Sequence, residues 1–135
     1  SAGKTGRLEC FDATSLAGMA WSLATMCIPD GPLLAAISSE SRRKIQDFSA
    51  QAVANTAWSL SRLGVNDGPL LAAISAAAIR KRSELLAQNL ANLVWSCSTL
   101  LYTDGPLLQA ISAESIPKIS DFNVQALANT AWSFA

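Results

Sequence analysis

The sequence predicts an all-α fold, an α-solenoid of stacked helix-turn-helix repeats, and three observations carry that prediction. The tryptophans Trp21, Trp58, Trp95 and Trp132 stand thirty-seven residues apart, with no insertion or deletion between them. A second motif keeps the same interval in Asp30-Gly31-Pro32-Leu33-Leu34, Asp67-Gly68-Pro69-Leu70-Leu71 and Asp104-Gly105-Pro106-Leu107-Leu108. Within each interval the apolar residues recur at helical spacing. A fixed period of roughly 20 to 50 residues marks an array of supersecondary units, each too small to bury its own apolar face. Residues 1–135 are therefore expected to form one segment with units at about 10–46, 47–83, 84–120 and a partial 121–135, about 3.5 repeats in all. Ser1 enters inside a unit and Ala135 stops inside one, so the segment is expected to belong to a longer array.

Each unit resolves into two helices. The first opens at Asp-Gly-Pro, where Asp30 can cap free amides and Pro32 occupies the first turn, in which a missing N–H costs nothing. Leu33, Leu34, Ile37 and Ser41 give it one face. It is expected to end near Arg42 to Lys44, because the matching column holds Gly6, Arg80 and Pro117. Pro117 removes a donor and should bias Ile116 away from the α region. The second helix follows a capping column of Asp12, Ser49, Leu86 and Asn123, of which only Leu86 lacks an acceptor, so the third copy should start less cleanly. One residue earlier, Phe11, Phe48, Leu85 and Phe122 stand where a hydrophobic staple packs back on the first turn. Val53, Ala54, Ala57, Trp58 and Leu60 make a broad apolar stripe. The helix should stop near Gly64, a left-handed cap, although Cys27 and Leu101 share that column.

Composition narrows the chemistry. Ten basic and ten acidic residues cancel, which removes any overall bias toward nucleic acid or anionic membrane. Half the residues are hydrophobic, yet no apolar run approaches the roughly 18 residues of a membrane span, so no membrane insertion is expected. Cys10, Cys27 and Cys97 have neither metal nor redox spacing and there is no histidine, so they read as reduced packing residues and no metal or other cofactor is expected. Gly3-Lys4-Thr5-Gly6 lacks the spacing of a phosphate loop, and no nucleophile or paired carboxylate assembles. The chain is expected not to be an enzyme.

Four columns bear on binding. The stripe places Trp21, Trp58, Trp95 and Trp132 in the repeat core, together with Asn55, Asn92 and Asn129, which cannot read different bases if every unit carries the same residue. Positions that vary are few, and Glu40, Gln109 and Glu114 are the readout candidates among them. Arg7, Lys44, Lys81 and Lys118 align, joined by Arg42, Arg43, Arg80 and Arg82. Stacked units would set these cations along one edge, where they could track RNA phosphates. The same cations at a helix C-terminus would also complement the macrodipole.

The run Gln51-Ala52-Val53-Ala54-Asn55-Thr56-Ala57-Trp58-Ser59-Leu60-Ser61-Arg62-Leu63-Gly64 resembles the second-helix signature of the octotricopeptide repeat family, and Pro32-Leu33-Leu34-Ala35-Ala36 resembles the opening of that repeat. The resemblance implies an RNA-binding segment of an organellar gene-expression factor, in the chloroplast or alternatively the mitochondrion. On that reading salt should weaken binding steeply, and charge reversal at Lys44, Lys81 and Lys118 should abolish it. The alternative is a protein–protein scaffold or structural subunit of a large organellar complex, a ribosome or photosynthetic complex, motivated by neutral charge and by apolar array ends that further repeats or a partner must cover.

Overall fold

The computed structural model describes residues 11–121 and 124–134. Those residues form seven α-helices and three short 3-10 turns, with no strand among them. The helices are of two alternating kinds. α1 (Ala13–Thr25), α3 (Ala50–Leu63), α5 (Ala87–Thr99) and α7 (Val124–Phe134) begin thirty-seven residues apart, as do α2 (Gly31–Arg43), α4 (Gly68–Arg80) and α6 (Gly105–Ser115).

Capping follows the side chains available. Asp12 accepts from the Ser15 amide at 2.8 Å and Ser49 from the Ala52 amide at 3.0 Å, opening α1 and α3. Leu86 has no acceptor. Instead, Asn89 Oδ1 reaches back to the Leu86 amide at 2.9 Å, half of a capping box, so α5 starts as cleanly as its neighbours. The even helices open on Asp30, Asp67 and Asp104, each accepting from the amide three residues on.

The C-termini of the odd helices share one geometry. The amides of Ile28, Val65 and Tyr102 return to the carbonyls of Leu23, Leu60 and Cys97 at 2.8–2.9 Å, and the residue before each is left-handed. Gly64 adopts φ 70° without a steric cost, whereas Cys27 and Leu101 are forced to φ 55°. Helix α6 ends two residues before Pro117, earlier than α2 and α4 in the same column. Ile116 nevertheless stays helical at φ −55°, ψ −53°, contrary to the bias expected of a residue before proline. Its amide still bonds the Ser112 carbonyl, and the turn tightens only afterwards, with Lys118 N–H on the Ser115 carbonyl.

Packing repeats along the chain. Each odd helix packs against the next odd helix, each even helix against the next even helix, and α1 with α2, α3 with α4 and α5 with α6 form antiparallel hairpins. Small residues line the odd-helix contacts: Ala17, Ala54, Ala57 and Ala91 are buried beside Leu16, Val53, Leu90, Leu93 and Val94. Each fully buried Leu or Val contributes ~1.5–3 kcal/mol, several times a surface ion pair, so this row is the main source of stability. The hydroxyls buried in it bond their own helix, Thr56 to the Ala52 carbonyl at 2.7 Å and Ser96 to the Asn92 carbonyl at 2.6 Å.

The tryptophans do not join this core. Trp21 is 46 % exposed and Trp132 61 %, while Trp58 and Trp95 are half-buried. An indole has no room among alanines that let two helices approach closely. It falls instead on the stripe of Gln51, Asn55 and Arg62, spaced by four, three and four residues, rather than on the stripe of Ala54. Asn55 and Asn92 are likewise half-buried on that outer stripe, and the Asn129 side chain lies outside the described set.

Candidate nucleic-acid interface

The aligned lysines strap the end of each hairpin to its start, and Lys81 and Lys118 also reach the unit before. Lys44 Nζ donates to the Phe11 carbonyl at 2.6 Å. Lys81 Nζ donates to the carbonyls of Phe48 and of Gln46, the latter at 3.2 Å. Lys118 Nζ donates to Leu85 at 2.6 Å and Ser83 at 3.4 Å. The Phe11, Phe48 and Leu85 carbonyls precede the odd helix of the lysine's own unit, where a staple residue turns the chain into the helix, while those of Gln46 and Ser83 end the unit before. A second tie runs beside it: Ser38 Oγ donates to Asp67 Oδ2, and Ser75 Oγ to Asp104 Oδ2 at 2.5 Å. Each aspartate thus caps its own helix with one oxygen and holds the previous unit with the other. That is why serine keeps step with the repeat.

The remaining predicted sites divide. Glu40, only 3 % exposed, accepts from Arg43 at 2.7 Å and lies 3.7 Å from Lys44, so it is a packing group and not a reader of bases. Glu114 faces Lys118 at 3.4 Å and Arg82 at 4.0 Å. Gln109 is exposed on α6. Arg42 and Arg80 are exposed, while Arg82 also donates to the Ile79 carbonyl at 3.0 Å. Arg7 lies outside the described residues.

Three stripes share one surface, and the tryptophans and asparagines on them are the ones the sequence assigned to the repeat core. Thr14, Gly18, Trp21 and Thr25 of α1 stand beside Gln51, Asn55, Trp58 and Arg62 of α3, which stand beside Gln88, Asn92, Trp95 and Thr99 of α5. Trp21 and Trp58 meet with ring centroids 6.3 Å apart and planes tilted by 31°. Gln88 Nε2 donates to Asn92 Oδ1 at 3.0 Å. Arg62 is the one charge on these three stripes. Between α1 and α3 lies a groove of about 310 Å³ bordered by Thr14, Gly18, Trp21, Ser49, Gln51 and Asn55. Aromatic faces flanked by amides, with little charge of either sign, suit unpaired bases better than phosphates. The interval from 51 to 55, 58 and 62 was available in the sequence as the signal for this face.

Other polar groups serve stability. Burial pushes the Cys97 thiol up to about 11, with Asp104 adding repulsion. Burial followed by Asp104 raises Tyr102 as well. The Ser15 amide holds the exposed Asp12 carboxyl below its ordinary range. Among the described residues there is no group of three or more His, Cys, Asp or Glu placed to hold a metal ion, and no helix long and apolar enough to cross a membrane.

A family model described as RNA-editing substrate-binding complex 6 protein matches residues 2–135. The chain belongs to this family. Membership in the RNA-editing substrate-binding complex 6 family corrects the octotricopeptide assignment. The residues that carried that resemblance are explained by packing: alanines where helices touch, asparagine and tryptophan on the outer stripe, glycine where the backbone turns left-handed. Any array of such hairpins faces the same demands, so the motif reports geometry and not lineage. The chloroplast expectation rested on that resemblance and loses its support. The RNA-editing substrate-binding complex 6 family is named for a component of an RNA-editing complex. No curated protein matches the chain.

Proposed function

We propose that the chain is a non-catalytic α-solenoid segment that holds single-stranded RNA within an RNA-editing assembly, using the outer stripes of α1, α3 and α5. The observation that carries this reading is the row of half-exposed tryptophans bordered by Gln51, Asn55, Gln88 and Asn92, on a surface whose one charge is the cation Arg62. Repetition of the same helix–helix neighbours every thirty-seven residues supports the solenoid and the units at about 10–46, 47–83, 84–120 and 121–135. The name of the family supports an RNA partner. Arg62, with the exposed Arg42 and Arg80, takes the phosphate-contacting role, because the lysines are committed to carbonyls. Of the two organelles expected from the sequence, we retain the mitochondrion.

Fluorescence anisotropy with a labelled twelve-nucleotide single strand tests this. Stacking of one base on an aromatic side chain is worth ~1–3 kcal/mol, so Trp58→Ala and Trp95→Ala should each weaken binding about tenfold or more. A duplex of the same sequence should bind far more weakly, since its bases are already stacked. Equal affinity for single strand and duplex, or no binding by the unaltered chain, defeats the reading.

The scaffold alternative is favoured by one observation: Leu101, Ile116 and Ile119 are exposed at the far end from Trp21 in sequence, Leu101 by 87 %. Single chains remaining monodisperse with RNA as the sole ligand would count against it.

A further inference from the structure

We infer that the groove between α1 and α3 is a receptor for one unpaired nucleobase, stacked at Trp21 and held at its edge by the Gln51 and Asn55 amides. The inference rests on the RNA reading above and adds to it a single defined position.

The first unit differs from the others where it matters. At the station of Asn55 and Asn92, α1 carries Gly18, and at the station of Gln51 and Gln88 it carries Thr14. In α5 the two amides hydrogen-bond to each other. Thr14 and Gly18 cannot form such a pair. Beside them lies the opening of about 310 Å³, and a Cβ built on Gly18 meets nothing within 4 Å. A groove of that size, open to solvent on one side, is roomy enough for a flat heterocycle and larger than a single ion needs.

The chemistry of the walls selects the occupant. No charged side chain borders the groove, which argues against phosphate, a carboxylate peptide or a cation. What borders it is an indole, two carboxamides, two hydroxyls and the flat surface of Ala17 and Ala52. A nucleobase is neutral and planar, with alternating donors and acceptors on its rim. Carboxamides carry both a donor and an acceptor, so they match that rim, while the indole matches the face. Trp21 keeps 46 % of its surface exposed despite its contact with Trp58, leaving area for a second stacking partner.

Gly18→Asn supplies the side chain found in the next two units and projects it from a position where a Cβ meets no neighbour within 4 Å. With a twelve-nucleotide single strand carrying 2-aminopurine at successive positions, the unaltered chain should quench one position most strongly. Gly18→Asn should remove that quenching and weaken binding about fivefold to tenfold, and Trp21→Ala about tenfold. Thermal melting by circular dichroism shows whether each variant is folded; if Trp21→Ala is not, Gly18→Asn carries the test. The slot is overturned if the unaltered chain binds the strand while folded Gly18→Asn binds within twofold of it with the same quenching pattern. Absence of any binding by the unaltered chain overturns the RNA reading itself, and the slot with it.

Discussion

At the scale of single residues, the chain tolerates strain where its surface permits it. Leu101 holds φ 55° with a side chain 87 % exposed, so it is left-handed at a cost and packs little in return. Leu101→Gly should therefore raise stability by about 1 kcal/mol in urea titration, while Gly64→Ala, at φ 70°, should lower it by a similar amount. Cys97 is a second case. Its thiol ionises at 9.0 in the unfolded chain and at about 11 in the fold. Between those values the unfolded state has lost a proton that the native state keeps, so stability must fall as pH rises. The loss should reach about 2–3 kcal/mol by pH 11, since each unit is worth ~1.4 kcal/mol. Cys97→Ala should flatten that part of the alkaline denaturation curve. Sequence alone placed the thiol among packing residues but gave no sign of Asp104 beside it, because that proximity depends on how the loop after α5 folds back.

Elements expose how far periodicity reaches. Helix starts and stops were legible because Asp, Pro and Gly act locally: Asp30, Asp67 and Asp104 cap the even helices, and Gly64 ends α3. The face each helix buries was legible for Val53, Ala57 and Leu60. It was misread for Trp58, whose apolar character suggested the core although its size excludes it from an alanine-lined contact. The lysine column was read either as a ladder for phosphates or as cations complementing the helix macrodipole. Its true partners, carbonyls 33 residues back, cannot be seen in a one-dimensional pattern, because a main-chain acceptor leaves no mark on residue type. A charged hydrogen bond is worth ~1.5–3 kcal/mol. Lys81→Met, which keeps the aliphatic stem, should therefore destabilise the chain by about 2 kcal/mol in urea, whereas Arg80→Ala, exposed in the adjacent position, should change it by less than about 0.5 kcal/mol.

For the molecule as a whole, commitment of the lysines to the fold changes what salt can reveal. Arg42, Arg62 and Arg80 are the exposed guanidiniums proposed to meet phosphate, about three contacts at most. The slope of log K against log salt should then be near −2, from ~0.7 per contact on a single strand. A slope of −5 or steeper, about seven contacts, would overturn the assignment of phosphate binding to these three arginines. Charge reversal at Lys44, Lys81 and Lys118 is consequently a test of folding before it is a test of binding.

The direction of those straps carries one more consequence. Every ammonium grips the start of its own hairpin, and those of Lys81 and Lys118 also reach the preceding unit. Asp67 and Asp104 each receive a hydroxyl from the preceding unit, so the contact surfaces on the two sides of a hairpin are fixed complements. Excising residues 47–83 would leave Lys118 opposite Leu85, bring it opposite Gln46 in place of Ser83, and bring Asp104 opposite Ser38, each meeting the chemistry it already has. Excising thirty residues instead would leave a cation facing no carbonyl and a carboxylate facing no hydroxyl. On the proposed solenoid reading the hairpin should therefore act as an interchangeable part, with the length of the array changing by whole parts alone.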